Sequence, residues 1–435
     1  MININNLLNL SPVKETELTY VENELFYTRF SNSAISENIR EKDSYLNIKL
    51  INNKCIGTAL INKFDIESIK KGFEKALESS KAQKKDKNIL NLPHKMKYLE
   101  TNHFDKKTID FTPLEKAKIL SKIFHNSKNE KISGTFVNGY SYIAIANSNG
   151  LFADYKSSEA KISFTVEIDN SSSSWLSESR KIDNIEPESV YKIAREYALK
   201  NKNPKETSEG KYDVILTPYA FLELIEMFVF YGLSTLSYVQ NYSPMNGKLN
   251  KKIASEIFTL IEDPFDIEAG GRSFDYEGYP REKVILIENG ILKGFVHDRH
   301  TAKLMKTKST GHSMGEPSSL GPIPLHPVIN AGKTSIDEMI NTMNKGLYIR
   351  RLHYTNLLNI KDLVVTGMTR DGVYYIENGK IKYPVINMRF CDSLFNILEN
   401  IIDIGPQLVI DFSEGWGKIP WVKIKNFNFS SSTDF

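Results

Sequence analysis

The tripeptide Glu-Asn-Gly occurs twice, at Glu288-Asn289-Gly290 and Glu377-Asn378-Gly379, each time between two short apolar runs. Asn-Gly accepts positive φ at both central positions of a type I′ turn, whose twist matches the strands it joins. Val284–Ile287 and Ile291–Phe295 flank the first turn, and Val373–Ile376 and Lys380–Val385 flank the second. Such a pair commits the second half of the chain to a largely antiparallel sheet. Helical patterns lie between the strands, so the expected class is α+β in two main parts.

The first half repeats that mixture. Tyr45–Leu50 alternates with period two, Asn52-Asn53-Lys54 supplies turn chemistry, and Cys55–Ile61 runs back as a second strand. Asp65 caps a helix whose Ile66, Ile69, Phe73 and Leu77 recur at helical spacing. Residues 88–110 read as a connection, followed by a helix over Pro113–Phe124. Thr135–Tyr155 is strand-like around the turn Asn147–Gly150, Lys161–Ile168 is a further strand, Asn170–Ser174 a polar loop and Pro187–Lys200 an amphipathic helix. Asn201–Gly210 (NKNPKETSEG) is charged and rich in breakers, which places a boundary there. The expected parts are residues 1–205 and 206–435. The second opens with the strand Tyr212–Leu216, and Thr217-Pro218 then starts a helix that ends near Gly232.

Composition narrows the functional classes. The chain has 435 residues, 40% of them hydrophobic and 25% charged, with a formal net charge of +3. That balance gives no electrostatic case for nucleic acid, since the densest basic stretch, Lys81–Lys87 (KAQKKDK), reads as the solvated end of a helix. Cys55 and Cys391 match no metal or redox spacing and read as free thiols in a reducing compartment. Residues Met1–Asn5 lack a basic leader, and Glu15, Glu17 and Glu22 follow soon after. Val214–Val239 has bilayer-spanning length but contains Glu223 and Glu226, so a buried core helix is expected and no membrane contact. The expected location is the cytoplasm.

Residues Asp275–Gly311 read DYEGYPREKVILIENGILKGFVHDRHTAKLMKTKSTG. This stretch resembles the most characteristic block of the TldD/PmbA family, in which a DEG-x-P segment precedes a LIENG-x-LKG hairpin, an A-x-x-M helix and an S/P-T-G turn. Tyr375–Lys380 with Pro384-Val385, Ile402–Gly405 and Gly57–Ile69 resemble further family segments in order. TldD-type members are zinc peptidases with an HExxxH motif and a later Cys in a CGKxGQ context. Two imidazoles and a thiolate leave one tetrahedral position for water, whose proton the Glu accepts. A five-residue spacing puts the two histidines about 140° apart on a regular helix, so they converge only if the helix ends or distorts there.

Aligned from the strand Val214–Leu216, Glu226 stands where the resemblance places the first His, Met227 where it places the Glu, and Tyr231 where it places the second His; only the closing Gly232 remains. Trp416 occupies the place of the Cys. A carboxylate, a thioether, a phenol and an indole do not make a zinc site. The resemblance therefore implies a PmbA-type (TldE-type) branch with no cofactor of its own. Zinc is expected in a TldD-like partner subunit, in a heterodimer, or a homodimer when the chain is alone, and the expected substrate is a small or unfolded peptide. Two alternatives remain: a metallopeptidase in its own right with unusual ligands, such as Glu226 with His297 or His300, or a regulatory protein acting on DNA gyrase, the older label of the family.

Other constellations are weaker. His297 and His300 share one side of a helix if one forms there, but are expected to be solvent-exposed or hydrogen-bonded. Ser309-Thr310-Gly311-His312 sets a hydroxyl near an imidazole, yet close neighbours on a chain rarely point together, and the resemblance makes this turn a cleft wall. Asp275 and Glu277, two carboxylates at strand spacing, are candidates for one face of the substrate cleft, set against the ordinary expectation of a solvated turn. Gly270-Gly271 reads as a flexible turn that lets Arg272 meet a peptide carboxylate.

Overall fold

A computed structural model describes residues 3–127, 130–315, 321–413 and 415–432. The first part is one antiparallel sheet of six strands: β1 Glu15–Ser31, β2 Ala34–Asn52, β3 Cys55–Ile61, β4 Lys131–Asn147, β5 Phe152–Ile168 and β6 Ser171–Ser179. Their spatial order is β3-β2-β1-β4-β5-β6. The hairpin read around Asn52–Lys54 is there, with Asn53 and Lys54 at positive φ. Its first strand starts eleven residues before Tyr45, because β1 pairs with β2 over its whole length. That long partner has no clean alternation, since Glu17, Glu22 and Glu24 are buried in it. Asp65 caps the helix Ile66–Ala82 through its side chain, and Thr112 with Glu115 closes a capping box on Pro113–Asn126.

Two readings need correction. The segment Asn170–Ser174 is not a loop: Ser171–Ser179 is an edge strand paired with β5. Serine has little intrinsic reason to form a strand, and pairing together with contacts from the second part overrides propensity here. Residues 88–110 are mostly irregular, but Asp105 caps one helical turn, Lys106–Asp110.

The second part is a sheet of eleven strands. These are β7 Gly210–Leu216, β8 Leu260–Glu262, β9 Val284–Glu288, β10 Ile291–Leu292, β11 Pro327–Ile329, β12 Lys345–Asn359, β13 Val364–Glu377, β14 Lys380–Val385, β15 Met388–Ser393, β16 Ile401–Phe412 and β17 Gly415–Ser432. Both Asn-Gly hairpins form, β9–β10 and β13–β14, with φ of 49° and 78° at Asn289 and Gly290 and of 51° and 72° at Asn378 and Gly379. Among the described residues, the strands that pair in parallel in this sheet are β7 with β12 and β11 with β17. Because β7 also pairs antiparallel with β17, the strands β7, β12, β13, β15 and β17 close on themselves.

The apolar helix Pro218–Met227 packs on β12 and β17. Thr217 caps it, and Phe221, Leu224, Ile225, Phe228 and Val229 are all within 1% of full burial. Protein covers this apolar face, as expected for a core helix. Arg350 of β12 ties the two sheets together. Its guanidinium lies between Trp175 and Tyr197, with its carbon 4.8 Å and 3.8 Å from the ring centres. It donates to the Ser173 hydroxyl and to the carbonyls of Ser174 and Asp371, each carbonyl at 3.1 Å.

Candidate functional site

Between the two sheets lies a cavity of about 360 Å³. From the first sheet, Tyr155 and Glu159 of β5 face it, and Arg180 follows β6; from the second part come Arg272, Arg281, His326, Asp411 and Trp416. Arg180 donates from Nη2 to the Gly270 carbonyl at 2.8 Å, and its guanidinium carbon sits 5.0 Å from the Trp416 ring centre. Arg272 lies 3.9 Å above the Tyr276 ring and donates to the Phe274 carbonyl at 3.2 Å. Arg281 is 3% exposed. Its Nη1 is 3.9 Å from Glu262 Oε1, close enough to pair charges but too far for a hydrogen bond.

The glycine pair beside Arg272 is a packing requirement and not a flexible turn. A Cβ on Gly270 would lie 2.3 Å from the Asp266 carbonyl oxygen, and one on Gly271 would lie 2.4 Å from the His326 ring. His326 Nδ1 is 3.0 Å from the Ala269 carbonyl, which assigns the hydrogen to Nδ1. Burial holds the imidazole neutral, with a pKa of about 3.

The other residues singled out in the sequence spread over different surroundings. Asp275 is fully buried, with Oδ1 accepting the N–H groups of Glu277 and Tyr279 and Oδ2 that of Ser313, each at 2.9 Å. It shapes its own turn and is not solvated. Glu277 faces a separate cavity of about 560 Å³, together with His300 and Arg299. Burial and then Asp275 push its carboxyl up to about 8. Ser309, Gly311 and His312 are buried.

Thr310 and His312 do point together, against expectation: Oγ1 and Nδ1 are 2.9 Å apart, and His312 Nε2 is 3.2 Å from Glu262 Oε1. The tight turn at Gly311, φ 70°, folds position 312 back beside 310. Thr310 Oγ1 also accepts the His297 N–H at 2.7 Å, and none of the cavities described contains it, so the relay braces the turn. His297 is half-buried, its pKa lowered by burial. Among the described residues, no three His, Cys, Asp or Glu side chains are grouped so as to hold a metal ion.

A family model described as the PmbA/TldA metallopeptidase C-terminal domain matches residues 209–431, and the model of the central domain of that family matches residues 106–202. The chain belongs to the TldD/PmbA family. A metalloprotease TldD homologue of Buchnera aphidicola is 26% identical over 414 residues, covering 89% of this chain and 83% of the relative. A metalloprotease PmbA homologue from the same species is 24% identical, covering 86% of this chain and 84% of the relative. In fold, the chain is similar to the crystal structure of TldE from Thermococcus kodakarensis, with a TM-score of 0.86 and 22% identity over 98% of this chain and 99% of that one. A Thermotoga maritima structure described as a candidate modulator of a DNA gyrase matches equally, at a TM-score of 0.86 and 21% identity over 98% of this chain and 99% of that one.

The segment where the resemblance places the metal motif forms an apolar helix with a distorted end. The helix Pro218–Met227 runs into one π-helical turn, Phe228–Gly232, whose i→i+5 bonding stacks positions five apart. Glu226 lies in the last turn of the α-helix and Tyr231 in the π-helical turn that follows it. Phe230 stacks on Phe412 of β16 and fixes the turn against that strand. Trp416 lies directly across from Asp411 in the β16–β17 ladder and is 7% exposed. The Glu226 carboxyl senses Asp411 and Glu223, and with burial as the first cause its pKa rises to about 7. Burial and then Glu178 raise Asp411 to about 6.

This gives a pH dependence with a definite sign. The folded pKa of Glu226 lies above the ordinary 4.5 of the unfolded chain, so the native state keeps a proton that the unfolded state releases. The stability it contributes is fully present below pH 4.5 and lost as the pH rises through 7. Glu226→Gln is expected to match the parent near pH 4.5 and to exceed it at pH 8 by about 1 kcal/mol, a figure reduced for partial solvent access. Denaturant melts at the two pH values check this, and a pH-independent difference would contradict it.

Proposed function

We propose that this chain is a non-catalytic, PmbA-type subunit of a TldD-type metallopeptidase that degrades or matures small unfolded peptides. The observation that carries this reading is the set of side chains at the positions where the resemblance places the metal motif. By the resemblance, Glu226 and Tyr231 stand at the positions of the two His, Met227 at that of the Glu and Trp416 at that of the Cys, and none of the changes keeps an imidazole or a thiolate. The chain would complete the cleft and hold an extended peptide, while zinc and the activated water belong to a TldD-like partner in a heterodimer. A homodimer would form in its absence. The proposed compartment is the cytoplasm.

The reading is tested by mixing. The purified chain alone is expected to show no chelator-sensitive peptidase activity, and adding a zinc-loaded TldD-type chain is expected to produce it. Full activity of the chain alone, abolished by a chelator, would overturn the proposal. A second reading, a metallopeptidase in its own right, is favoured by relatives such as the 26% identical TldD homologue, which is named a metalloprotease. It requires unusual ligands, and His297→Ala and His300→Ala would then abolish both bound zinc and activity.

A further inference from the structure

The cavity beside Trp416 has a chemical demand that its own walls leave unmet. Arg281 is 3% exposed, and its Nε and Nη1 have no hydrogen-bond acceptor among the described residues; Arg180 Nε has none either. A buried guanidinium is tolerated when its donors are used, and each donor left idle costs more than an average hydrogen bond contributes. Arg272 stands near enough for its charge to oppose that of Arg281, so two cations face one end of the cavity. Asp275, whose charge also reaches Arg281, spends its oxygens on three backbone N–H groups. Glu262 stays 3.9 Å from Arg281 Nη1 and is already bonded to His312 and to the His326 N–H.

An anion from outside completes this arrangement, and the planar fork of Arg suits a carboxylate or a phosphate. The remaining walls decide between them. Glu159 and Asp411 face the same cavity and would repel a dianion, yet they suit the ammonium of a zwitterion. Tyr155, Tyr276 and Trp416 give it aromatic sides, and about 360 Å³ has room for a short peptide. We propose that this cavity binds the C-terminal carboxylate of a short peptide through Arg281 and Arg180, in the pocket where the family's metal-binding thiolate position is filled by Trp416. The proposal rests on the peptide-handling reading above but needs neither zinc nor a partner.

The test is calorimetric titration of the chain alone with Ala-Ala-Ala, Ala-Ala-Ala-amide and inorganic phosphate. The free tripeptide is expected to bind at least about tenfold more tightly than the amide, since a charge-assisted hydrogen bond is lost. Phosphate is expected to bind more weakly than the tripeptide. Arg281→Met and, separately, Arg180→Met are expected to erase the preference for the free carboxylate, with folding checked by melting. Arg180→Met serves if the Arg281 variant fails to fold. Equal binding of peptide and amide, tighter binding of phosphate, or no binding of any probe overturns the proposal. Restored peptidase activity on mixing with a TldD-type chain, without carboxylate discrimination, would sink this subsite and leave the subunit reading standing.

Discussion

Arg350→Ala is expected to lower stability by about 3–5 kcal/mol, because one substitution removes a charge that both sheets have organised around. Arg350 is 1% exposed, stacked between Trp175 and Tyr197, and gives hydrogen bonds to Ser173, Ser174 and Asp371. Truncation leaves the Ser174 and Asp371 carbonyls short of a donor and opens a void between two aromatic rings. Arg350→Lys keeps the charge but cannot reach three acceptors on two elements from one nitrogen, so it should recover less than half of the loss. A melting temperature lower by about 3–5 °C for the alanine variant is the expected reading. A shift of under about 2 °C would mean that the two sheets do not depend on this joint.

Asp275→Ala is expected to cost about 3–5 kcal/mol, since it strands three N–H groups at once, the buried one of Ser313 and the half-buried ones of Glu277 and Tyr279. Those bonds hold a turn whose Tyr279 carbonyl returns a bond to the Asp275 N–H at 2.9 Å. Asp275→Asn keeps the shape and one acceptor oxygen, so it should fall between parent and alanine. Guanidinium denaturation of the three proteins measures the order directly. An Asn variant with the parent's stability but altered peptide binding would instead show that Asp275 serves the cleft.

The legible part of this chain was the local chemistry. Asn289-Gly290 and Asn378-Gly379 determine their own turns, and Asp65 and Thr217 cap the helices they precede, so a reading of neighbours along the chain finds them. What the sequence hid depends on distant partners. Ser171–Ser179 is a strand because β5 and Arg350 hold it, and nothing in a serine run signals either. Asp275 looked like a solvated turn residue because its acceptors are used by backbone groups, which leave no mark on the sequence. Thr310 and His312 meet only through the backbone reversal at Gly311.

For the cavity, Arg272 and Trp416 were within reach of motif reasoning, whereas Arg180, Arg281 and His326 were not singled out. They come from a strand end, a turn and a strand start far apart in the chain, and only the packing of the two parts brings them together. A faint signal existed for Arg281, a cation directly after the Glu277–Pro280 turn inside the most family-like block. The helix end near Gly232 was legible from the glycine, whereas the π-helical form of its last turn, Phe228–Gly232, was not.

Zinc stoichiometry of the purified, tag-free chain is the most direct test of the reading that the metal motif has been vacated. A content far below one equivalent after exposure to excess zinc and desalting is the predicted result. About one tightly held equivalent per chain, lost on replacing His297, His300 or Glu226, would contradict it and make this chain an enzyme with its own metal.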